Sequence, residues 1–292
     1  MLQVAHGKLF ATYRDAVRAI QVFSQLHGYE YRQVQLADSV PQRFARNASC
    51  AYTWKVEHIL RELRGPSLRE GDWLLFVDAD VTPAEDSALG DDLRALLPTN
   101  SSDSEPCFLI AQDGRRELNT GVLLLRKSAD AIEVVADWLA RQKEYEICRF
   151  GADQIALQFV LTAWIARRLG AQPPLRCPAQ PLPRPSSLQP GHYSRLDDCY
   201  VNAMATLQMP HNKRSRAGVC LIPTTTPLNI HDFWGTHRPG SFFYHGKRAS
   251  SKAARWLTRR RALLSQGGRL SPPRVGCCPL PPQDCRDDCL RR

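Results

Sequence analysis

The sequence predicts an α/β protein with a mainly parallel sheet covered by helices on both faces, and three observations lead there. Short apolar runs alternate with stretches whose apolar residues recur at helical spacing. Two of the runs, Trp73 to Val77 and Gly121 to Leu125, are apolar on both sides of the chain, as a strand covered from both faces must be. Glycine and proline then punctuate the boundaries between the segments.

Taken in order, Leu2 to His6 reads as a strand. Thr12 to Leu26 reads as a helix with Ala16, Val17, Ile20, Phe23 and Leu26 on one face, stopped by Gly28. Tyr29 to Leu36 is a second strand. Tyr52 to Leu63 is a helix burying Trp54, Val56, Ile59, Leu60 and Leu63 and closed by Gly65-Pro66. The run Trp73 to Val77 is the central strand and carries Asp78-Ala79-Asp80 at its C-terminal end. Residues 84–106, acidic and serine-rich, form a surface excursion with a short helix around Leu89 to Leu97. Two more buried strands, Phe108 to Ala111 and Gly121 to Leu125, flank the polar turn Gln112 to Leu118, and helices follow at Ala129 to Gln142 and Asp153 to Leu169.

The character of the chain then changes. Positions 173–190 hold seven prolines, which favour extended structure, and residues 191–245 are loop-rich with aromatic strands before a basic helix, Arg255 to Leu264. The expected division is a core over 1–170, a proline-rich linker or wrapping loop over 171–190, a closing part over 191–264 and a poorly ordered basic, cysteine- and proline-rich tail over 265–292.

Composition narrows the class. A 292-residue chain with 43% hydrophobic and 23% charged residues supports a large core, which excludes disorder, collagen and a mini-protein. Its apolar runs fall far short of the roughly 20 residues that span a bilayer and no leading signal is visible, so a soluble chain is expected. The net charge of +10 is mostly a tail property: residues 246–292 carry 12 Lys and Arg against 3 acids, and the rest is nearly neutral. No helix-turn-helix pattern, zinc finger or aromatic interleaving accompanies that basic stretch, which argues against nucleic acid as a partner. The ten cysteines scatter, and Cys277, Cys278, Cys285 and Cys289 crowd the tail without a CxxC pair. Asn47-Ala48-Ser49 and Asn100-Ser101-Ser102 fit the glycosylation acceptor pattern, which matters only in a secretory compartment.

Chemistry concentrates at Asp78 and Asp80. Ligands of open α/β sheets sit outside the carboxyl ends of the strands, and two carboxylates crowded there favour a hard cation that offsets their repulsion. An ordinary acidic turn also fits a bare DxD. Two enzyme classes use an apolar strand followed by DxD: haloacid-dehalogenase-like phosphatases, whose DxDx(T/V) string fits Asp78 to Val81, and GT-A glycosyltransferases. A phosphatase of that kind carries this strand near its beginning, whereas about 70 residues precede it here.

Four stretches, Trp54-Lys55-Val56, Trp73 to Asp80, Leu118 to Arg126 and Asp153 to Leu157, come in the order and spacing of GT-A enzymes. Over about residues 10–165 the chain resembles the family of plant xyloglucan xylosyltransferases, galactomannan galactosyltransferases and yeast Golgi mannosyltransferases. The resemblance implies a GT-A nucleotide-diphospho-sugar transferase fold and transfer of a hexosyl or pentosyl group from a UDP- or GDP-linked donor to a glycan or glycoconjugate, with retention and with Mn²⁺ or another divalent cation. It implies a Golgi-lumen or secretory location, although the family's N-terminal anchor and stem are missing from this chain; a cytoplasmic location is the alternative.

Residue by residue, the resemblance makes Asp78 and Asp80 the metal-binding DxD. Asn119-Thr120-Gly121 matches the family's NTG element, whose glycine lets the backbone pass close to a ligand and whose amide meets sugar hydroxyls. Asp153-Gln154 matches its DQ pair, with Asp153 orienting donor or acceptor; a simple N-cap role for Asp153 competes. His245 would complete the metal site, with Gly246 allowing close approach and Lys247 meeting the diphosphate, as a C-terminal histidine does in many GT-A enzymes. The family's own pattern here is His, an aromatic residue, Ala and Gly, and His231-Asp232 and His237 are rivals. Lys55 and Arg126 reach phosphate or donor in one reading and solvent in the other. Trp234 suits a sugar face, whereas Trp164, on a helix, suits the core. A noncatalytic relative with a basic tail remains the third reading.

Overall fold

The computed structural model describes residues 1–36, 51–84, 93, 97, 108–112, 118–145, 152–168, 219–222, 229–231, 243–246 and 249–265. The expected proline-rich segment 171–190 and nearly all of the tail lie outside these residues, as does most of the acidic excursion.

The first half alternates strand and helix: β1 (Leu2–His6), α1 (Gly7–Thr12), α2 (Arg14–Leu26), β2 (Arg32–Leu36), α3 (Ala51–Arg64) and β3 (Trp73–Val77). A three-residue strand, β4 (Val81–Pro83), follows at once, then β5 (Phe108–Gln112), β6 (Leu118–Arg126), α4 (Ala129–Tyr145) and α5 (Ala152–Arg168). The C-terminal part supplies β7 (Val219–Ile222), β8 (Asn229–His231), β9 (Phe243–His245) and α6 (Ala249–Ser265).

Six strands form one sheet in the order β2-β1-β3-β6-β5-β7. The pairs β1/β2, β1/β3 and β5/β7 are parallel, and β6 runs against both of its neighbours. That reversal follows from chain length, because the short polar connection from β5 to β6 can make a hairpin but not a crossover.

Alternation along the strands sends side chains to two cores. Leu74, Phe76, Leu123 and Leu125 face α3, α4 and α5 through residues such as Ile59, Trp138 and Leu161. Leu75, Val77, Val122 and Leu124 face α2 and α6 through Ile20, Phe23, Ala253 and Trp256. The fold is therefore the expected mixed α/β architecture, a mainly parallel sheet with helices on both faces.

Several boundaries differ from the sequence reading. The last helix begins at Ala249 rather than Arg255, and the strand expected from Gly121 begins at Leu118. The helix expected over Thr12 to Leu26 is divided at Tyr13, which leaves helical geometry (φ −105°, ψ 26°), and its N-terminal part reaches back to Gly7. The strand expected from Tyr29 begins at Arg32, because the preceding residues close α2. Gly28, at φ 66°, donates to Gln25 O, and Tyr29 donates to Ser24 O, the paired bonds of a Schellman cap.

A second, three-stranded sheet, β4-β9-β8, stands at the C-terminal end of β3. Here Val81 pairs with His245, Thr82 with Tyr244 and Pro83 with Phe243. Nothing in the sequence announced β4, which is too short to show a period.

Candidate active site

The central strand ends where the ladder does. Asp78 donates its N–H to Gly121 O at 2.8 Å, and its own carbonyl accepts from Val81 N–H at 3.2 Å and from the Gln3 side-chain amide at 3.3 Å. Gln3, itself fully buried, accepts from the Tyr31 hydroxyl at 2.6 Å. The turn through Asp78-Ala79-Asp80 is thus fixed at its backbone before any side chain acts.

Pairing of β4 with β9 then delivers the histidine. Gly246 donates its N–H to Asp80 O at 3.1 Å from a backbone angle (φ 145°) that glycine tolerates. His245 Nε2 lies 3.2 Å from Asp80 Oδ1 and 3.9 Å from Asp78 Oδ2, and one ligand atom from each of the three residues lies within 4.8 Å of the others. The imidazole is buried, while the two carboxylates keep side-chain exposures of 22% and 30% and so face an open side.

Gly121 has a different duty from the one expected. A Cβ placed there would meet His245 Cε1 at 2.3 Å and Nδ1 at 2.6 Å. The glycine of Asn119-Thr120-Gly121 therefore makes room for the imidazole.

Close to the turn lies a second, more deeply buried carboxylate centre. Asp153, in the first turn of α5, is 2% exposed; its Oδ2 accepts from Thr120 Oγ1 at 2.5 Å and lies 2.6 Å from Lys55 Nζ. Its backbone carbonyl accepts from Trp138 Nε1 at 2.9 Å. The N-cap alternative fails, since α5 begins one residue earlier and this carboxylate is turned to Lys55 and Thr120. The solvated reading of Lys55 fails as well: the residue is 3% exposed, donates to Thr120 Oγ1 at 3.2 Å, and lies 3.5 Å from Asp78 Oδ1. It stands on the inner face of α3 with Val56, Ile59 and Leu63, a placement that the helical period of those residues already contained.

Electrostatics separates the two aspartates of the turn. Burial pushes the Asp78 carboxyl above its usual range against the pull of Lys55, and the nearby Asp80 adds to the rise. Burial acts in the same sense on Asp80, yet the His245 imidazole, by charge and hydrogen bond, holds that carboxyl below its usual range. For His245, desolvation is outweighed by Asp80 and then Asp78, so the imidazole stays protonated to higher pH than usual.

The donor set passes a test of fit for a divalent cation. Two carboxylates and one imidazole bring one ligand atom each within 4.8 Å of one another, and they form the one metal-ligating cluster among the described residues.

No protein-family model matches the chain, and no curated protein matches it. Its structural neighbours are glycosyltransferases. One is a glycosyltransferase involved in the glycosylation of the major capsid of PBCV-1, 14% identical, with a TM-score of 0.49 over 88% of this chain and 97% of that one. The galactosyltransferase LgtC, solved with donor and acceptor sugar analogues, is 14% identical, with a TM-score of 0.37 over 89% of this chain and 95% of its own. The glycosyltransferase GlyE of Streptococcus pneumoniae is 11% identical, with a TM-score of 0.40 over 91% and 63%. Likeness at this level carries nothing about chemistry.

The structure thus brings together Asp78, Asp80, His245, Lys55, Asn119, Thr120, Gly121, Asp153 and Gly246. Asn119 accepts from Gly121 N–H at 2.8 Å, and its Nδ2, fully buried, has no hydrogen-bond partner among the described residues. Gln154 is half-buried on α5 beside Asp153. Arg126, paired with Trp73, sits at the opposite end of β6 and β3. Trp164 belongs to the core, as expected. Lys247, Asp232, Trp234 and His237 lie outside the described residues, and of His231 the backbone alone is placed, beside His245 in β8. Sequence reasoning passed over Gln3, Tyr31 and Trp138; a Gln within an apolar strand is the one signal that points to any of them.

Proposed function

We propose that the protein is a divalent-cation-dependent glycosyltransferase that moves a hexosyl or pentosyl group from a UDP- or GDP-linked donor to a glycan or glycoconjugate. Retention of configuration, Mn²⁺ as the cation and a Golgi-lumen setting are the parts of this reading that rest on the resemblance to the xylosyl-, galactosyl- and mannosyltransferase family. The observation that carries the proposal is the convergence of Asp78, Asp80 and His245 from two sheets at the C-terminal end of the central strand. Charge supports it: among the described residues, three carboxylates meet one ammonium, and the deficit equals one divalent cation once His245 is neutral.

Asp78, Asp80 and His245 would hold the ion, which when bound offsets the negative charge that gathers on a diphosphate leaving group. Asn119 Nδ2 is a buried donor without an acceptor among the described residues, a costly state that a sugar hydroxyl would relieve. Asp153, locked by Lys55, Thr120 and Trp138, presents a fixed carboxylate to orient a hydroxyl of donor or acceptor, with Gln154 next to it. Gly246 permits the tight passage from β9, and Lys247 is assigned to the diphosphate. No observation favours the phosphatase reading, in which the DxD strand would stand near the beginning of the chain rather than about 70 residues into it. No helix among the described residues is long and apolar enough to cross a membrane.

Thermal shift with UDP-xylose, UDP-galactose, UDP-glucose and GDP-mannose, each with and without Mn²⁺, tests the proposal. A ligand at a hundredfold excess over its Kd adds about 2.7 kcal/mol, so one donor should raise Tm only with Mn²⁺ present. Asp80→Ala should erase the shift. A cooperative melt that no donor moves, with no sugar transfer to any acceptor, sinks the reading.

A further inference from the structure

Lys55 is the one cation among the described residues that touches both carboxylate centres. Its ammonium lies 2.6 Å from Asp153 and 3.5 Å from Asp78, above the Phe76 ring at 5.6 Å. Asp78 is a member of the Asp-Asp-His cluster and Asp153 is not. One charge is thus divided between a carboxylate inside the cluster and one outside it. Thr120 ties the two arms, accepting from Lys55 and donating to Asp153.

We infer that Lys55 is a positioning residue that couples cation occupancy to Asp153, an inference that rests on the divalent-cation site proposed above. A divalent cation drawn to Asp78 repels the ammonium across a few ångströms of buried space. Lys55 then withdraws from Asp78 and gives its charge to Asp153, which tightens that carboxylate when the metal is in place. Because such coupling is reciprocal, whatever holds Lys55 on Asp153 favours the cation, and whatever releases Lys55 onto Asp78 opposes it.

The sign of this effect separates it from a merely structural role. If Lys55 only propped up the fold, removing it would loosen the cluster and weaken metal binding. If it competes for Asp78, removing it strengthens metal binding while leaving Asp153 without its partner. Mn²⁺ titration of the full chain without donor, read by the EPR signal of the free hydrated ion, distinguishes the two. Lys55→Met should bind Mn²⁺ about fivefold to tenfold more tightly than the parent, and Asp153→Asn should bind it more weakly by a similar factor. Because Asp153 acts through Lys55, the double variant should bind Mn²⁺ about as tightly as Lys55→Met, whereas a return to the parent value is the plain sum of two independent effects and overturns the coupling. Sugar transfer should fall in Lys55→Met despite the tighter metal, and Lys55→Arg should restore part of it. If Lys55→Met does not melt cooperatively, Asp153→Asn decides alone. Parent chain that binds Mn²⁺ with Lys55→Met equal or weaker, or Asp153→Asn unchanged, overturns the coupling and leaves the metal site standing. Parent chain that takes no Mn²⁺ overturns the site itself.

Discussion

Helix α3 holds a buried ion pair at each end, and the two are unlike. Near its C-terminal end Glu62, 8% exposed in its side chain, meets the half-exposed Arg32 of β2 at 2.5 Å, with Ser67 as a further donor at 3.4 Å. Near its N-terminal end Lys55 meets Asp153 with both partners almost wholly buried. The first pair is balanced, one cation for one carboxylate, and its Arg keeps contact with water. The second is unbalanced, because Asp78 and Asp80 share its neighbourhood and Lys55 is the ammonium among them. A protein gains little from a buried charge deficit, so the imbalance points to a ligand and the balanced end to architecture.

The sharpest way to break the contrast is at the unbalanced end. Asp80→Ala should lower transfer at least about a hundredfold, the scale on which even residues behind a metal ligand act, with the fold retained by circular dichroism. Gly121→Ala should drive a methyl into the His245 ring, costing about 1–3 kcal/mol of stability as overpacking does and abolishing Mn²⁺ binding together with it; urea unfolding and Mn²⁺ titration report the two effects.

Asp78→Asn separates function from stability. Because the Asp78 carboxyl sits above its usual range, ionising it in the fold costs free energy at neutral pH, and the amide should raise Tm while Mn²⁺ binding is lost. The Asp80–His245 pair has the opposite sense. His245, raised, stabilises the metal-free fold at low pH and ceases to as pH climbs through its raised value; Asp80, lowered, stabilises it at high pH and ceases to as pH falls through its depressed value. Their joint contribution should therefore be largest from about pH 4 to about pH 6.5, and since a metal must displace the His245 proton, Mn²⁺ affinity should decline on acidification through that imidazole's titration. A Tm series at several pH values, with and without Mn²⁺, checks both. The smallest effect belongs to the balanced end: Arg32→Met should cost about 1 kcal/mol or less for a pair with one exposed partner and leave transfer unchanged.

Much of this was legible in the sequence because burial on both faces writes a continuous apolar run. Trp73 to Val77 announced the strand, its position announced Asp78 and Asp80, and the helical spacing around Ile59 and Ile20 announced which faces were covered. What stayed hidden depends on contacts distant in sequence. The helical period sets Lys55 on the inner face of α3, but its partner Asp153 stands 98 positions later and only the fold brings the two together. Gly121 reads as a strand glycine that lets the backbone pass close to a ligand until His245 is seen against it. β4 is three residues long, and pairing with β9 rather than local pattern makes it a strand.

The β4–β9 ladder also bears on when the cluster comes into being. Val81 and His245 are 164 positions apart and are joined by a register of three residues, a pairing of high contact order whose loop must close before any reward is collected. The two aspartates are set by a turn next to a central strand, but the histidine arrives only after the intervening chain has found its place. Capture of the proposed cation would then be a late event that reports a finished fold instead of seeding one, and a single cut anywhere between Pro83 and Phe243 would leave the closure to association between fragments.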